Sequence, residues 1–125
     1  MKNFIDFKKL AKSFHYAFRG VIHLLNDQQN ARIHFTAAIL VGIAAYILDV
    51  SRVEAAILFM AIIMVFAIEV LNTAIEKLSD VIEPKDNAKI AYIKDGMAGA
   101  VLITAVIAVV VAILIFLPHI RELFA

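Results

Sequence analysis

Residues 96–117 read GMAGAVLITAVIAVVVAILIFL, twenty-two positions without a charge. As an α-helix this stretch covers roughly 33 Å, enough to cross a hydrocarbon core about 30 Å thick. Pro118 follows it and is expected to close the helix, while Lys94-Asp95 precede it at the water boundary. Upstream, a second apolar run begins at Ala55, stays apolar to Ile68, and continues through Glu69 and Asn72 towards Asp80. A third, Phe35 to Leu48, is short for a crossing. It reaches the necessary length only if the helix starts near Asn30, with Arg32 and His34 at the headgroups. Asp49 to Glu54 reads as a charged turn, and Pro84 with Lys85, Asp86 and Asn87 as a loop. The expected fold is an all-α membrane protein, one domain over 1–125, with transmembrane helices at 30–48, 55–76 and 96–117.

Composition agrees. Of 125 residues, 63% are hydrophobic, and the mean hydropathy is +0.90. A soluble domain sits nearer half apolar, because its surface must face water. The net charge of +1 gives no reason to expect nucleic-acid binding. The absence of cysteine removes disulfides, thiolate nucleophiles and Cys-based zinc sites.

The segment 1–29 has a different pattern. Phe4, Phe7, Leu10, Phe14, Phe18, Val21 and Leu25 recur at helical spacing, with Lys2, Lys8, Lys9 and Lys12 spread around the polar side. No unbroken apolar stretch suits a cleaved signal, so the segment is expected to remain in the mature protein. Basic amphipathic helices of this kind lie in the membrane interface with their aromatic side down.

Lysine and arginine set the orientation. Lys2, Lys8, Lys9, Lys12, Arg19 and Arg32 precede the first span, and Lys77, Lys85, Lys89 and Lys94 lie between the second and third. Only Arg52 and Arg121 fall on the other side, so the N-terminus and the 77–95 segment are expected in the cytoplasm. The polar segment 26–32, Glu69 to Asp80, and Lys94-Asp95 then meet at one membrane face.

Glu69, Asn72, Thr73 and Glu76 stand at i, i+3, i+4 and i+7 and share one helical face. A carboxylate at the bilayer centre costs about 2.5–3.5 kcal/mol or more, less near the edge, and marks a functional site by default. The deeper Glu69 sits in an apolar setting that raises a carboxyl pKa and suits a base acting on a buried hydroxyl. The shallower Glu76 suits a hard divalent cation. The structural alternative is that Glu69 and Asn72 only join helices through hydrogen bonds. Lys94 can neutralise phosphate oxygens, and Asp95, taken alone, reads as a helix cap. Gly96, Ala98, Gly99 and Ala100 form a small-residue packing surface. His15, His23, His34 and His119 lack metal-site spacing and read as interface residues. Tyr16 can touch a nucleotide, although a tyrosine at headgroup level explains it more simply. No Walker or protein-kinase motif is present.

The octet Glu69-Val70-Leu71-Asn72-Thr73-Ala74-Ile75-Glu76, with Ala88-Lys89, Lys94-Asp95 and Ala98-Gly99-Ala100-Val101-Leu102, closely resembles the prokaryotic diacylglycerol kinase family. That family includes the undecaprenol kinases, whose branch Asn30-Ala31-Arg32-Ile33-His34 resembles more. The resemblance runs from Tyr16 to Pro118. It implies a homotrimer in the bacterial cytoplasmic membrane, with active sites shared between subunits, that phosphorylates a lipid alcohol from ATP and magnesium. By the same analogy Glu69 is the catalytic base and Glu76 binds magnesium with ATP. Asn72, Lys94 and Asp95 serve the nucleotide or hold the site. Where the family places a second metal-binding glutamate, this sequence has Gln28, a ligand without negative charge. Adjacent Asp27 is turned about 100° away on a helix and is a poor substitute. Two rivals remain at this stage: a transport-related protein using Glu69 as a relay, and a non-catalytic member of the same fold.

Overall fold

The structure, a computed structural model, describes residues 6–85 and 87–125; Lys2 and Phe4 of the amphipathic pattern, and Asp86 of the loop, lie outside them. Four helices follow in order: α1 (Phe7–Asp27), α2 (Gln29–Ile47), α3 (Arg52–Ile82) and α4 (Ala88–Leu123). The last three are long and apolar enough to cross a membrane.

Three of the four starts, those of α1, α3 and α4, carry a side-chain cap. Asp6 accepts hydrogen bonds from the amides of Lys8 and Lys9 at 3.0 and 3.1 Å, satisfying donors that α1 leaves open. At α3, Ser51 and Glu54 form a reciprocal capping box. The Ser51 amide donates to Glu54 Oε2 at 2.7 Å, and the Glu54 amide donates to Ser51 Oγ at 3.3 Å. The expected turn therefore ends earlier than its charges imply, and Arg52 to Glu54 belong to the helix. Asn87 Oδ1 accepts from the Lys89 amide at 2.9 Å and opens α4. This corrects the capping reading of Asp95, which lies seven residues inside the helix and is exposed.

Two joints shape the bundle. Between α1 and α2 only Gln28 leaves the helical conformation, with φ −107° and ψ 120°. Between α2 and α3, Asp49 takes φ 49°, and the Val50 amide reaches the Ala45 carbonyl at 3.2 Å. This is the left-handed closure that usually employs glycine, which the short polar side chain of aspartate tolerates.

The helices also run past the apolar segments. Most of the 77–95 stretch is helical, because α3 continues to Ile82 and α4 begins at Ala88. Pro118 does not end α4, which goes on to Leu123. A proline removes one backbone donor, a loss membrane helices accommodate, and His119 Nδ1 lies 2.9 Å from the Ile115 carbonyl.

α3 and α4 make the most extensive contact, and α2 packs more lightly on α3. The core is thin: Leu24, Ala31, Leu58, Val65, Val101 and Ile115 are the buried apolar side chains among the described residues. Leu102, Ile103, Leu114 and many like them are exposed, which in water would oppose folding and in lipid costs nothing. Gly96 and Gly99 face open space, so the expected small-residue packing is not used within one chain.

Candidate active site

The buried residues of α3 are Leu58, Val65, Glu69, Thr73 and Ser79. From Val65 to Thr73 the spacing is i, i+4, i+8, one continuous helical stripe. Glu69 is only 1% exposed, the most enclosed polar side chain, and Thr73 is 7% exposed. Neither Glu69 Oε2 nor Thr73 Oγ1 has a hydrogen-bond partner among the described residues. At 1.5 Å per residue Glu69 lies roughly 21 Å along the helix from Ala55, inside a core about 30 Å thick but near its far edge. Asn72 and Glu76 are half-buried and lead from Glu69 towards the polar end of the bundle.

The ionisable groups in the neighbourhood of Glu69 are His34, from α2, and Glu76. His34 had read as a headgroup residue. It is half-buried and lines an apolar cavity of about 300 Å³ between α2, α3 and α4. Ala37, Val41, Leu58, Val65, Phe66 and Ala108 form much of the remaining wall. The cavity therefore ends one helical turn from Glu69. Arg32, by contrast, stays exposed and folds back on α1. Its guanidinium donates to the carbonyls of Leu25 and Asn26 at 3.1 and 2.8 Å, closing the last turn of α1.

At the polar end, two ion pairs tie the helices together. Lys77 Nζ meets Asp27 Oδ2 at 3.0 Å, and Lys94 Nζ meets Asp80 Oδ1 at 3.0 Å. Both face solvent, so neither adds much to stability, but they decide which acids are engaged. Asp27 is occupied by Lys77, which strengthens the case against it as a replacement ligand beside Gln28. Glu76, flanked by these pairs, makes no ion pair among the described residues.

The predicted residues divide accordingly. Glu69, Asn72 and Glu76 line α3. Lys94 joins them through Asp80, and half-buried Gln28 comes to this end because Asp27 docks on α3. Asp95 points to solvent. Tyr16 is 62% exposed, stacked edge-on with His15, and roughly 16 Å up α1 from Asp27, so one chain does not bring it to the site. His34 and Thr73 were not singled out for a role. His34 comes into the neighbourhood of Glu69 only through tertiary packing, whereas Thr73 lies inside the octet itself.

Among the described residues no three His, Asp or Glu side chains converge on a common point. Magnesium is usually held by one or two carboxylates together with substrate phosphates and waters, and Glu76 fits that requirement.

Residues 15–116 match the family model described as prokaryotic diacylglycerol kinase. The chain belongs to the prokaryotic diacylglycerol kinase family. Membership makes it a lipid kinase, as the octet predicts, with the phosphoryl donor and usual divalent metal that such an enzyme requires. Among relatives of this kinase, the undecaprenol kinase of Bacillus subtilis is 37% identical over 90% of this chain and 92% of its own. A diacylglycerol kinase of Synechocystis is 36% identical over 91% of this chain and 66% of its own. The diacylglycerol kinase of Escherichia coli is 26% identical over 94% of this chain and 96% of its own.

Proposed function

We propose that this membrane kinase transfers the γ-phosphoryl group of ATP, with magnesium, to the hydroxyl of undecaprenol or diacylglycerol. The observation that carries the reading is Glu69: a carboxylate 1% exposed, its Oε2 without a hydrogen-bond partner among the described residues, one turn from an apolar cavity. In the proposed step the lipid O–H bond breaks as its proton passes to Glu69 Oε2. The oxygen bonds to the γ-phosphorus, and the bond to the β-phosphate oxygen breaks to release ADP. Little covalent work falls to the protein, so positioning and charge neutralisation supply most of the rate. Glu76 and Gln28 hold the metal with the phosphates, Asn72 orients the nucleotide, and Lys94 exchanges Asp80 for a phosphate oxygen. That exchange is cheap, because an exposed pair is weak. Asp95 and Tyr16 serve the nucleotide from a neighbouring copy.

The assembly is a homotrimer with shared sites, consistent with the wide exposed apolar surface and the open faces of Gly96 and Gly99. α1 lies in the membrane interface. Purified protein supplied with MgATP and a panel of lipid alcohols in mixed micelles should form a lipid phosphate. ATP turnover that no lipid alcohol stimulates would refute the reading.

The site end of the bundle is cytoplasmic in this proposal, in the bacterial inner membrane, as the lysine and arginine asymmetry requires. Single cysteines placed at Lys85 and Ser51 should be labelled by an impermeant reagent in intact cells at position 51 only. Labelling at position 85 from outside would overturn the orientation.

A further inference from the structure

The hydroxyls carried by the helices behave in two ways. Ser13, Thr36 and Thr104 each donate to the carbonyl one turn back, at Lys9, Arg32 and Ala100, with distances of 3.0, 2.9 and 3.1 Å. This is the ordinary resting place for a hydroxyl within a helix, and it is especially favoured where no water is at hand. Thr73 has the same opportunity at the Glu69 carbonyl and does not take it. Its Oγ1 is buried without a partner, on a residue 7% exposed. One turn away Glu69 Oε2 is buried without a partner too.

Two adjacent buried groups of this kind are unfavourable, since each has given up water without gaining a partner among the described residues. They are complementary to a single ligand group. An alcohol oxygen carries one proton to donate and two lone pairs to accept, so it can satisfy both at once. We propose that Thr73 is a further substrate-binding residue, whose Oγ–H donates to the reacting oxygen of the lipid alcohol while that alcohol's own proton points at Glu69. One lone pair is then fixed by Thr73, and the other is left free for the phosphorus. The apolar cavity below Val65 and Phe66 takes part of the lipid chain and delivers its polar end to this level of α3. The inference rests on the lipid-kinase reading and adds the group that aims the nucleophile.

Thr73→Val preserves shape and removes only the hydroxyl. In full-length protein it should raise the KM for the lipid alcohol by about tenfold, the usual scale for one lost hydrogen bond, while the KM for MgATP stays put. Thr73→Ser should restore the lipid KM. The Val variant should also unfold no earlier than the parent on heating, because it removes an unsatisfied buried group. A purely structural hydroxyl would give the reverse pattern, with lost thermal stability and an unchanged lipid KM, and would overturn the inference. Unchanged kinetics in Thr73→Val, beside a parent that phosphorylates lipid, would refute the role of Thr73 and leave the lipid-kinase reading intact. A parent that phosphorylates no lipid alcohol would remove both.

Discussion

Glu69→Gln should lower lipid phosphorylation by roughly 10²–10⁴-fold, the range for removing a positioned general base. The substitution keeps the shape of the side chain and its place between α2 and α4. It exchanges an acceptor-only carboxylate for an amide that cannot take a proton. Folding should be nearly unaffected, since Glu69 makes no ion pair or hydrogen bond among the described residues that the amide would break. The decisive comparison is lipid-dependent turnover against assembly, the second read by size-exclusion in detergent. Near-normal turnover in a correctly assembled variant would take Glu69 out of the reaction.

Gln28→Glu tests the opposite direction, a gain. Gln28 stands at the joint between α1 and α2, brought towards α3 by the contact of Asp27 with Lys77. Its amide oxygen can coordinate magnesium but contributes no charge, and affinity for a hard cation depends strongly on ligand charge. An added carboxylate should tighten MgATP binding by something on the order of 1–3 kcal/mol, the scale of a charge-assisted contact. Maximal rate should move less, because tighter ground-state binding does not by itself lower the barrier. Magnesium titrations of both proteins at fixed ATP are the measurement. Superimposable curves would place position 28 outside the metal shell.

The three helices long and apolar enough to span, and the polar face of α3, were legible because both depend on local spacing. An uncharged run of twenty-two residues has few alternatives, and carboxylates at i and i+7 share a face wherever the helix goes. What the sequence concealed depends on partners. Arg32 and His34 look alike as polar residues near a span. One folds back on the carbonyls of α1, while the other reaches the neighbourhood of Glu69 across α2 and α3. Asp95 resembles a cap because the apolar run starts beside it, yet Asn87 takes that role eight residues earlier. Helix ends were read from hydropathy, which marks the edge of the lipid, whereas hydrogen bonding continues into water.

The connection between α1 and α2 has a mechanical consequence. A single extended residue offers two soft torsions, so α1 would ordinarily swing like a door on one hinge pin. Arg32 bridges that hinge by gripping the two carbonyls on its far side, and Asp27 latches the free edge to Lys77. The first two helices therefore form a bolted elbow. Whatever displaces the twenty-one residues of α1 reaches Gln28 and the polar end of the bundle with little slack.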